Sequence, residues 1–336
     1  MADLSTKYLG LQLKNPIIAG ASNLSSDLDK LKQLEEAGAS AVVYKSLFEE
    51  QIHLESMQLE EELTEFDERH PEMIKTHPTV EHAGPKEHLN ELRKTKEALG
   101  IPVIASLNAV YKETWKEYAQ KIEETGVDAL ELNFYSIPQK FDRDAGEVEQ
   151  EQLEILESIK NAVSIPISVK LSPFYSNPLN VIQKMDQKNV NGFVLFNRFF
   201  EPEINIEEED HKFPFNLSRQ GDHKMPLRYA GLLYDNIEGD VCSSTGIFNG
   251  SDVIKMILAG ANCVQTVSSI YINKIQHVTK MLQDIEKWME KKGYLSLDEF
   301  RGKLSRARLS DPFVYKRAQY VDILMHPEEI IKQYKF

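Results

Sequence analysis

Short apolar runs alternate with amphipathic segments along most of this 336-residue chain, and several runs end on a polar side chain. Four of them stop on a lysine or an asparagine, at Lys45, Asn133, Lys170 and Asn197. An apolar run bounded by Gly or Pro is typical of a strand that is buried on both faces, as in a parallel sheet. Polar residues at the carboxyl ends of such strands predict a shared site above a barrel.

Repetition of this pattern predicts eight strands separated by amphipathic helices. The strands are Pro16–Ala19, Ala41–Ser46, Pro102–Leu107, Asp128–Asn133, Pro166–Leu171, Gly192–Asn197, Gly239–Ser243 and Asn262–Val267. The helices include Ser25–Ala37, Lys86–Leu99, Glu113–Thr125, Glu149–Ala162, Pro178–Asn189 and Asp252–Ala259. Eight parallel strands with intervening helices form an α/β fold of the (β/α)8 or TIM barrel type. A doubly wound open sheet is the alternative, but it usually divides a chain of this length into two domains, so the barrel is favoured.

The remaining segments predict additions to one barrel domain that spans residues 1–336. The alternating segment Thr6–Asn15 predicts a hairpin that closes the barrel bottom. Leu295–Phe336 predicts a C-terminal extension of short helices packed on the outside. Two long insertions, at residues 47–85 and 198–225, each follow a strand with a polar end. Because connections of this length are usually functional, we expect them to act as lids over the site.

The charge balance limits the classes of partner. The chain has 39 basic and 53 acidic side chains and a formal net charge of −14, which repels nucleic-acid backbones and anionic membrane surfaces. We therefore expect a small-molecule ligand and no nucleic acid, although a local basic pocket for an anionic ligand is compatible with this average. No signal-peptide pattern and no apolar stretch near the roughly 20 residues that span a bilayer are present, so we expect a cytoplasmic protein without a membrane anchor.

Familiar cofactor and metal motifs are few. The two cysteines, Cys242 and Cys263, are too few for a disulfide framework or an iron–sulfur cluster. No glycine-rich dinucleotide fingerprint and no P-loop occurs. His77, His82 and His88 have a spacing that can hold a metal, but solvated loop histidines are the favoured interpretation. We therefore expect no metal site.

Small residues follow the seventh and eighth strands. Ser244, Thr245 and Gly246 come after the seventh strand, and Val267 and Ser268 end the eighth. Loops at these positions are the usual phosphate site of such barrels, where small residues let backbone N–H groups reach an anion. Ordinary capping of the next helix by Ser and Thr is the alternative. The position in the barrel favours a phosphate site.

The two lysines at strand ends also require an explanation. A lysine in a barrel mouth is costly unless it meets an anion or another acceptor. Each of Lys45 and Lys170 can pair with a nearby carboxylate such as Glu131, but two lysines on different strands favour an electron-rich ligand lying across the mouth. A flavin ring fits, because a lysine near its N1/O2 edge stabilises the negative charge of the reduced form. Asn133 and Asn197 either bind a planar polar ring or cap their own loops.

Several segments of the sequence resemble those of a known family. Several segments look like the FMN domain of dihydroorotate dehydrogenases and dihydropyrimidine dehydrogenases: Asn15–Ser22, Val43–Ser46, Ile104–Trp115, Gly126–Asn133, Val169–Pro173, Thr245–Ile247 and Lys291–Leu304. The resemblance covers nearly the whole barrel in the right order. Together the motifs are specific, although each alone is weak.

The resemblance implies a (β/α)8 barrel that holds FMN and passes a hydride between a pyrimidine C6 and flavin N5. It implies oxidation of dihydroorotate to orotate in pyrimidine biosynthesis, by a homodimer. By motif match, the expected flavin contacts are Ala19, Gly20, Ala21, Lys45, Ser46, Asn133 and Lys170, and the expected phosphate contacts are Ser244, Thr245, Gly246, Val267 and Ser268. Asn133 and Asn197 are expected to face the substrate, and Lys45 is expected to take part in catalysis.

Departures from the family pattern fall in the substrate loops. The family's catalytic loop runs Asn-x-Ser-Cys-Pro-Asn or Asn-x-Ser-Ser-Pro-Asn, whereas this chain has Asn-Phe-Tyr-Ser-Ile-Pro at residues 133–138. Counting from Asn133, Ser136 occupies the position of the catalytic base, and one substrate-binding asparagine is lost. Ser136 is a poor base alone and needs a relay through water or a neighbour. A plain loop serine is the alternative.

Two further substrate loops are altered. The family's Asn-Ser-Met-Gly-Leu-Pro-Asn loop after strand two is replaced by the insertion at 47–85, and the usual Asn-Ser or Asn-Thr after strand six is Asn197-Arg198. The flavin contacts are thus kept better than the substrate contacts. Two alternatives to dihydroorotate oxidation follow: a flavin enzyme for another dihydropyrimidine or unsaturated ring, and a non-catalytic barrel used as an interaction module.

Overall fold

A computed structural model of the chain describes residues 2–52, 84–135, 141–199, 201–212 and 216–326, with residues 328 and 332. Its strands are β1 (Thr6–Tyr8), β2 (Leu11–Leu13), β3 (Ile17–Ala19), β4 (Ala41–Val43), β5 (Leu47–Phe48), β6 (Val103–Asn108), β7 (Ala129–Phe134), β8 (Ile167–Leu171), β9 (Gly192–Leu195), β10 (Glu203–Asn205), β11 (Asp210–Lys212), β12 (Asp240–Ser244) and β13 (Cys263–Thr266).

The helices in the described residues lie between and after these strands. They are α1 (Leu28–Glu36), α2 (Pro85–Ala98), α3 (Lys112–Glu123), α4 (Ala145–Lys160), α5 (Pro178–Asp186), α6 (Lys224–Leu233), α7 (Gly250–Ala259), α8 (Ser268–Asn273), α9 (His277–Lys292) and α10 (Arg317–Met325). A 3-10 turn at Asn23–Ser26 precedes α1, which therefore begins three residues later than the predicted Ser25. Asp27 caps α1 by accepting hydrogen bonds from the N–H groups of Asp29 and Lys30.

The strands form a closed parallel barrel. The order is β3-β4-β6-β7-β8-β9-β12-β13, and β13 pairs with β3 to complete the ring. This confirms the predicted (β/α)8 barrel. Two strand predictions extend too far, because β4 ends at Val43 and β9 ends at Leu195. Lys45 and Asn197 therefore lie in the loops just beyond their strands, where the backbone can turn toward the mouth.

The N-terminal hairpin closes the barrel at the ends where its strands begin. Strands β1 and β2 pair antiparallel, as predicted, and Tyr8 and Leu9 pack in the barrel interior with Val194 and Cys242. The Leu9 N–H donates a hydrogen bond of 2.7 Å to Asp240 Oδ2 at the start of β12. Because this end is filled, the opposite end is left for a ligand site.

The outer layer is formed by helices and the C-terminal extension. Leu297 and Phe300 are buried against the helical layer, and the buried Arg301 guanidinium donates to the Ala261 carbonyl group. This part of the extension packs on the outside, as predicted. Helix α10 differs because it buries none of its residues. None of the helices described for this chain has the length and apolar character that crossing a membrane requires.

The two insertions are described unequally. Most of the first lies outside the described residues; the exceptions are β5, which pairs with the carboxyl end of β6, the helical residues 49–52 that follow it, and residues 84–85. The second contains the exposed hairpin of β10 and β11, which the sequence analysis does not predict. The expectation that both insertions act as lids stays a prediction.

Candidate active site at the barrel mouth

A cavity of about 170 Å³ lies at the carboxyl ends of the barrel strands. Its lining residues come from the ends of five strands and from the loop before α6: Ala21, Lys170, Phe196, Asn197, Arg198, Asn216, Leu217, Ser218, Ser244, Thr245, Gly246, Ile247, Gln265, Thr266, Val267 and Ser268. Eight of the residues predicted to bind cofactor or substrate are in this set: Ala21, Lys170, Asn197, Ser244, Thr245, Gly246, Val267 and Ser268. Ala19, Gly20, Lys45, Ser46 and Asn133 are not.

Lys170 lies in a buried polar triad with Gln265 and Glu131. Its Nζ donates to Gln265 Oε1 at 3.1 Å and lies 3.5 Å from Glu131 Oε1, while Gln265 Nε2 donates to Glu131 Oε2. Glu131 is only 1% exposed, and its Oε1 accepts no hydrogen bond from the described residues. The pairing with Glu131 that the sequence analysis weighed as an alternative is therefore present. The ammonium group still lines the cavity, with a buried carboxylate as its counter-charge.

Lys45 has a different environment. It lies two residues beyond β4 and is half-buried, and its ammonium group makes no hydrogen bond or ion pair with any described residue. Burial, and secondarily the charge of Lys45, lowers the pKa of His88 to about 4. A neutral His88 packs edge-on against Tyr44 with ring centroids 5.2 Å apart. Lys45 is thus a cation at the mouth without a protein counter-charge in the described part of the chain.

Of the three histidines whose spacing can hold a metal, only His88 lies in the described residues. His88 is buried on α2, while His77 and His82 lie outside the described residues. Within the described ranges, no group of three or more His, Cys, Asp or Glu side chains can hold a metal ion.

The end of β3 approaches β13 closely through small residues. A Cβ atom added to Gly20 would lie 2.8 Å from Val267 Cγ2. Ser46 is buried and its Oγ lies 2.7 Å from Ser106 Oγ, so this hydroxyl is used within the protein. Ala19 and Ala21 flank the glycine. Small side chains therefore allow the ends of β3 and β13 to pack closely.

Asn133 and Asn197 form the amide pair of the site. Asn197 Nδ2 donates to Asn133 Oδ1 at 2.9 Å, and the Arg198 N–H donates to Asn197 Oδ1 at 2.9 Å. The second contact is the loop-capping role that the sequence analysis weighed for Asn197. The two asparagines hold each other at the ends of β7 and β9, which the structure brings together as predicted.

Three aromatic rings lie on the segments that follow β7, β8 and β9. The Phe199 ring is 5.9 Å from the Tyr135 ring and 5.1 Å from the Phe174 ring, and Phe174 is largely exposed. We call Tyr135, Phe174 and Phe199 the aromatic wall. Ser136, the predicted catalytic base, follows Tyr135 and lies outside the described residues. Its role stays a prediction.

Residues 244–246 and 267–268 form two loops, which we call the anion loops. Thr245 and Gly246 have positive φ angles of 78° and 77°, and Thr245 Oγ1 donates to the Phe196 carbonyl at 2.9 Å. Ser268 Oγ accepts the Ser218 N–H at 2.9 Å. These two hydroxyls are engaged within the protein, while the backbone N–H groups of Thr245, Gly246 and Ser268 donate to no described residue. Unpaired backbone donors around one cavity are suited to an anion.

Two histidines contact the segment that follows β12. A Cβ atom on Gly246 would lie 2.3 Å from the backbone nitrogen of His223, so only glycine allows this approach. His223 Nδ1 lies 3.7 Å from Asp252 Oδ1, but burial is the larger effect and lowers the pKa of His223. His277 Nε2 lies 2.7 Å from the Phe248 carbonyl oxygen. Packing of α6, α7 and α9 therefore fixes the position of these loops.

Several residues of the cavity lining were not predicted from the sequence. Gln265 is one of them, although strict alternation along β13 places this residue and Cys263 on the inner face. Arg198 stands out in the sequence only as a departure from the family loop. No pattern pointed to Asn216 or Ser218, because only the path of the chain before α6 brings them to the cavity.

Comparisons with known proteins show which family the sequence matches. A family model described as dihydroorotate dehydrogenase matches residues 78–289. A Methanocaldococcus jannaschii relative, named dihydroorotate dehydrogenase B (NAD(+)), catalytic subunit, is 25% identical over 313 residues, covering 89% of this chain and 97% of the relative. A Thermoplasma volcanium relative of the same name is 27% identical over 308 residues, covering 90% and 98%. A third relative of that name, from Caldicellulosiruptor bescii, is 24% identical over 316 residues, covering 90% and 99%.

Proposed function

The chain belongs to the dihydroorotate dehydrogenase family, and we propose that it is an FMN-dependent oxidoreductase that converts dihydroorotate to orotate. The supporting observation is the division of one barrel mouth into a cationic part and an anion-binding part. Lys45 and Lys170 lie at strand ends, and unpaired backbone N–H groups surround the adjoining cavity. A ligand with an electron-rich ring and a phosphate matches both parts.

The residues present fit FMN. The backbone of the anion loops would hold the phosphate, and the lysines would lie toward the ring. Ala19, Gly20 and Ala21 have no bulk to obstruct a flat ring, and Ser46 and Asn133 would complete the contacts expected from the family. When bound, FMN supplies the hydride acceptor of the reaction.

Each side chain has a defined task in this proposal. Lys45 has no counter-charge among the described residues, so it gives the stronger stabilisation of negative charge that develops on the ring. Lys170 gives a weaker one because Glu131 lies 3.5 Å from its ammonium group. The amide pair orients the substrate ring. Ser136 accepts the C5 proton and passes it on through a water or a neighbouring group.

Anaerobic reduction of the bound flavin tests this proposal. Addition of dihydroorotate to the purified protein should bleach the flavin absorbance bands, and orotate should be recovered as the product. A yellow protein that dihydroorotate fails to bleach would contradict the substrate assignment and leave the cofactor assignment in place.

The aromatic wall favours a second candidate substrate. Three aromatic rings pack together on the segments that follow β7, β8 and β9, and the substrate loops differ from the family pattern. Aromatic rings stack on flat unsaturated ligands. If another dihydropyrimidine or unsaturated ring bleaches the flavin while dihydroorotate does not, this candidate replaces the first. A colourless protein that ignores FMN would favour the non-catalytic barrel.

Two further features belong to the proposal. The expected homodimer is supported by α10, whose Val321, Ile323, Leu324 and Met325 are all exposed. Sedimentation of the full chain tests it, and a monomer at micromolar concentration would contradict it.

The expected cytoplasmic location is supported by two buried free thiols, Cys242 and Cys263, in facing register on β12 and β13. Cell fractionation tests it.

A further inference from the structure

The cavity beside the anion loops has a charge opposite to that of the whole protein. The chain carries a formal charge of −14, yet the charged members of the cavity's described lining are Lys170 and Arg198, and no described lining residue is a carboxylate. Lys170 is already opposed by Glu131 within the barrel. Arg198 is therefore the second cation of this cavity, and neither the proposed function nor the family resemblance assigns it a task.

Two contacts fix the Arg198 guanidinium group. Its Nε donates to Asn216 Oδ1 at 2.7 Å, and its Nη1 donates to Asp222 Oδ2 at 2.6 Å. A guanidinium group has five N–H donors, so these two bonds leave three. The only other nearby carboxylate in the described residues is that of Glu201, whose Oε2 is 3.8 Å from Nη2, too far for a hydrogen bond. Arg198 is thus oriented by protein acceptors and retains donors for a ligand.

The same contacts join Arg198 to both anion loops. Asp222, its ion-pair partner, packs directly against Gly246, where an added Cβ atom would lie 2.7 Å from the Asp222 carbonyl carbon. On the other side, Ser218 lies two residues from Asn216, and its N–H donates to Ser268 Oγ at 2.9 Å. The arginine is held by residues 216–222, the segment before α6, which contacts both the loop after β12 and the loop after β13. An anion bound by the loop N–H groups would therefore lie beside the guanidinium group.

We infer that Arg198 binds the phosphate group of the flavin cofactor, together with the backbone N–H groups of the anion loops. This inference rests on the proposed function because it requires FMN as the ligand. A guanidinium group can bridge a carboxylate and a phosphate, since its planar fork has donors on two edges. Asp222 would then act as a positioning residue that presents Arg198 to the phosphate.

Comparison of FMN with riboflavin tests the inference, because riboflavin has the same ring and lacks the phosphate. Dissociation constants of both flavins would be measured on the apoprotein by quenching of flavin fluorescence, in unsubstituted protein and in Arg198→Gln. We expect Arg198→Gln to weaken FMN about 10- to 100-fold and riboflavin less than about 3-fold, the loss typical of charge-assisted hydrogen bonds. Arg198→Lys keeps the charge without the fork, so FMN affinity should fall by less.

Arg219→Gln is the matched control. Arg219 is exposed, lies in the same loop as Asn216 and is absent from the cavity lining. Its replacement by Gln removes one positive charge, as Arg198→Gln does. FMN affinity of this variant should stay within about 2-fold of the unsubstituted protein. Circular dichroism melting of each variant checks that the fold is retained.

The other outcomes distinguish failure of the proposed function from failure of the inference about Arg198. If the unsubstituted protein binds neither flavin, the proposed function and this inference fail together. If it binds FMN and Arg198→Gln leaves the FMN-to-riboflavin ratio unchanged, only the inference fails. If that ratio is unchanged while dihydroorotate binding weakens relative to dihydrouracil, Arg198 binds the substrate carboxylate and the inference is overturned. Equal weakening of both flavins would also overturn it, because the effect would not depend on phosphate.

Discussion

The two parts of the barrel mouth differ in the groups that they present: one presents backbone N–H groups and the other presents side chains. Around the anion loops, at the ends of β12 and β13, the ligand-facing groups are mainly backbone N–H groups held by packing of Gly246 against Asp222 and His223. Around the amide pair, at the ends of β7 and β9, they are side chains: two asparagines and the aromatic wall. Backbone donors persist through many substitutions, whereas side-chain donors change with each one. Under the proposed function, this difference accounts for a cofactor site that is kept while the substrate loops depart from the family.

The largest expected effect is on the substrate side. Ser136→Ala should slow anaerobic flavin reduction by dihydroorotate about 10²- to 10⁴-fold, the usual contribution of a positioned base, and should leave FMN affinity unchanged. Stopped-flow absorbance measures the rate, and fluorescence quenching measures the affinity. An unchanged rate would remove Ser136 from the mechanism, while loss of FMN would erase the distinction between the two parts of the mouth.

Replacement of each lysine should change the stability of the protein differently, because Lys170 forms a buried ion pair and Lys45 has no counter-charge among the described residues. Lys170→Met leaves Glu131 buried without its counter-charge, so the free energy of unfolding should fall by about 3 kcal/mol. Lys45→Met leaves no described carboxylate without a partner and should change stability by less than about 1 kcal/mol. Urea denaturation of both apoproteins at neutral pH checks this. Equal destabilisation would mean that Lys45 also has a structural partner.

Substitution of two glycines with nearly the same φ angle should distinguish the cost of backbone strain from the cost of close packing. Gly10 (φ 78°) has no atom within 4 Å of an added Cβ, whereas at Gly246 (φ 77°) the Cβ would lie 2.3 Å from His223 N. Gly10→Ala should cost only the left-handed strain of about 1 kcal/mol. Gly246→Ala should cost about 2 kcal/mol more and should weaken FMN at least 10-fold, because the anion loop must move. Similar costs and unaltered FMN binding would contradict a backbone-built site.

Acid should destabilise the protein through His88, beside Lys45. Its pKa is lowered to about 4 in the folded protein, from about 6.5 when unfolded. The unfolded chain therefore binds the proton first, and stability is lost as the pH falls from about 6.5 toward 4, by about 2 kcal/mol. In His88→Leu this part of the acid sensitivity should vanish, as measured by unfolding free energies at pH 7 and pH 4.5. An identical pH dependence in both proteins would show that other groups account for it.

Much of the fold follows from the sequence because a parallel barrel needs eight buried strands, and buried strands are continuous apolar runs. All eight predicted runs contain a strand of the barrel. The sequence pattern predicts strands that reach Lys45 and Asn197, whereas β4 and β9 each end two residues earlier, because an apolar pattern does not show where regular strand pairing stops. The hairpin of β10 and β11 was missed because its residues are polar and exposed.

Less of the site could be predicted. The sequence predicts Lys170 as a site residue and Glu131 as its alternative partner, because Lys170 is a charged residue near the end of one apolar run and Glu131 a charged residue within the run of the neighbouring strand. The contact between Arg198 and Asp222 joins residues 24 positions apart across an irregular loop, so no periodicity points to it. Arg198 could have been suspected only from its departure from the family loop. Side-chain networks of this kind depend on the path of the loops rather than on local pattern.

The flavin content of the purified protein tests the central claim most directly. If the anion loops and the two lysines form an intact cofactor site, the protein should carry about one FMN per chain, released on denaturation and taken up again by the apoprotein. Absorbance of the released flavin against protein concentration gives this ratio. A colourless protein that takes up no FMN on incubation would contradict the account.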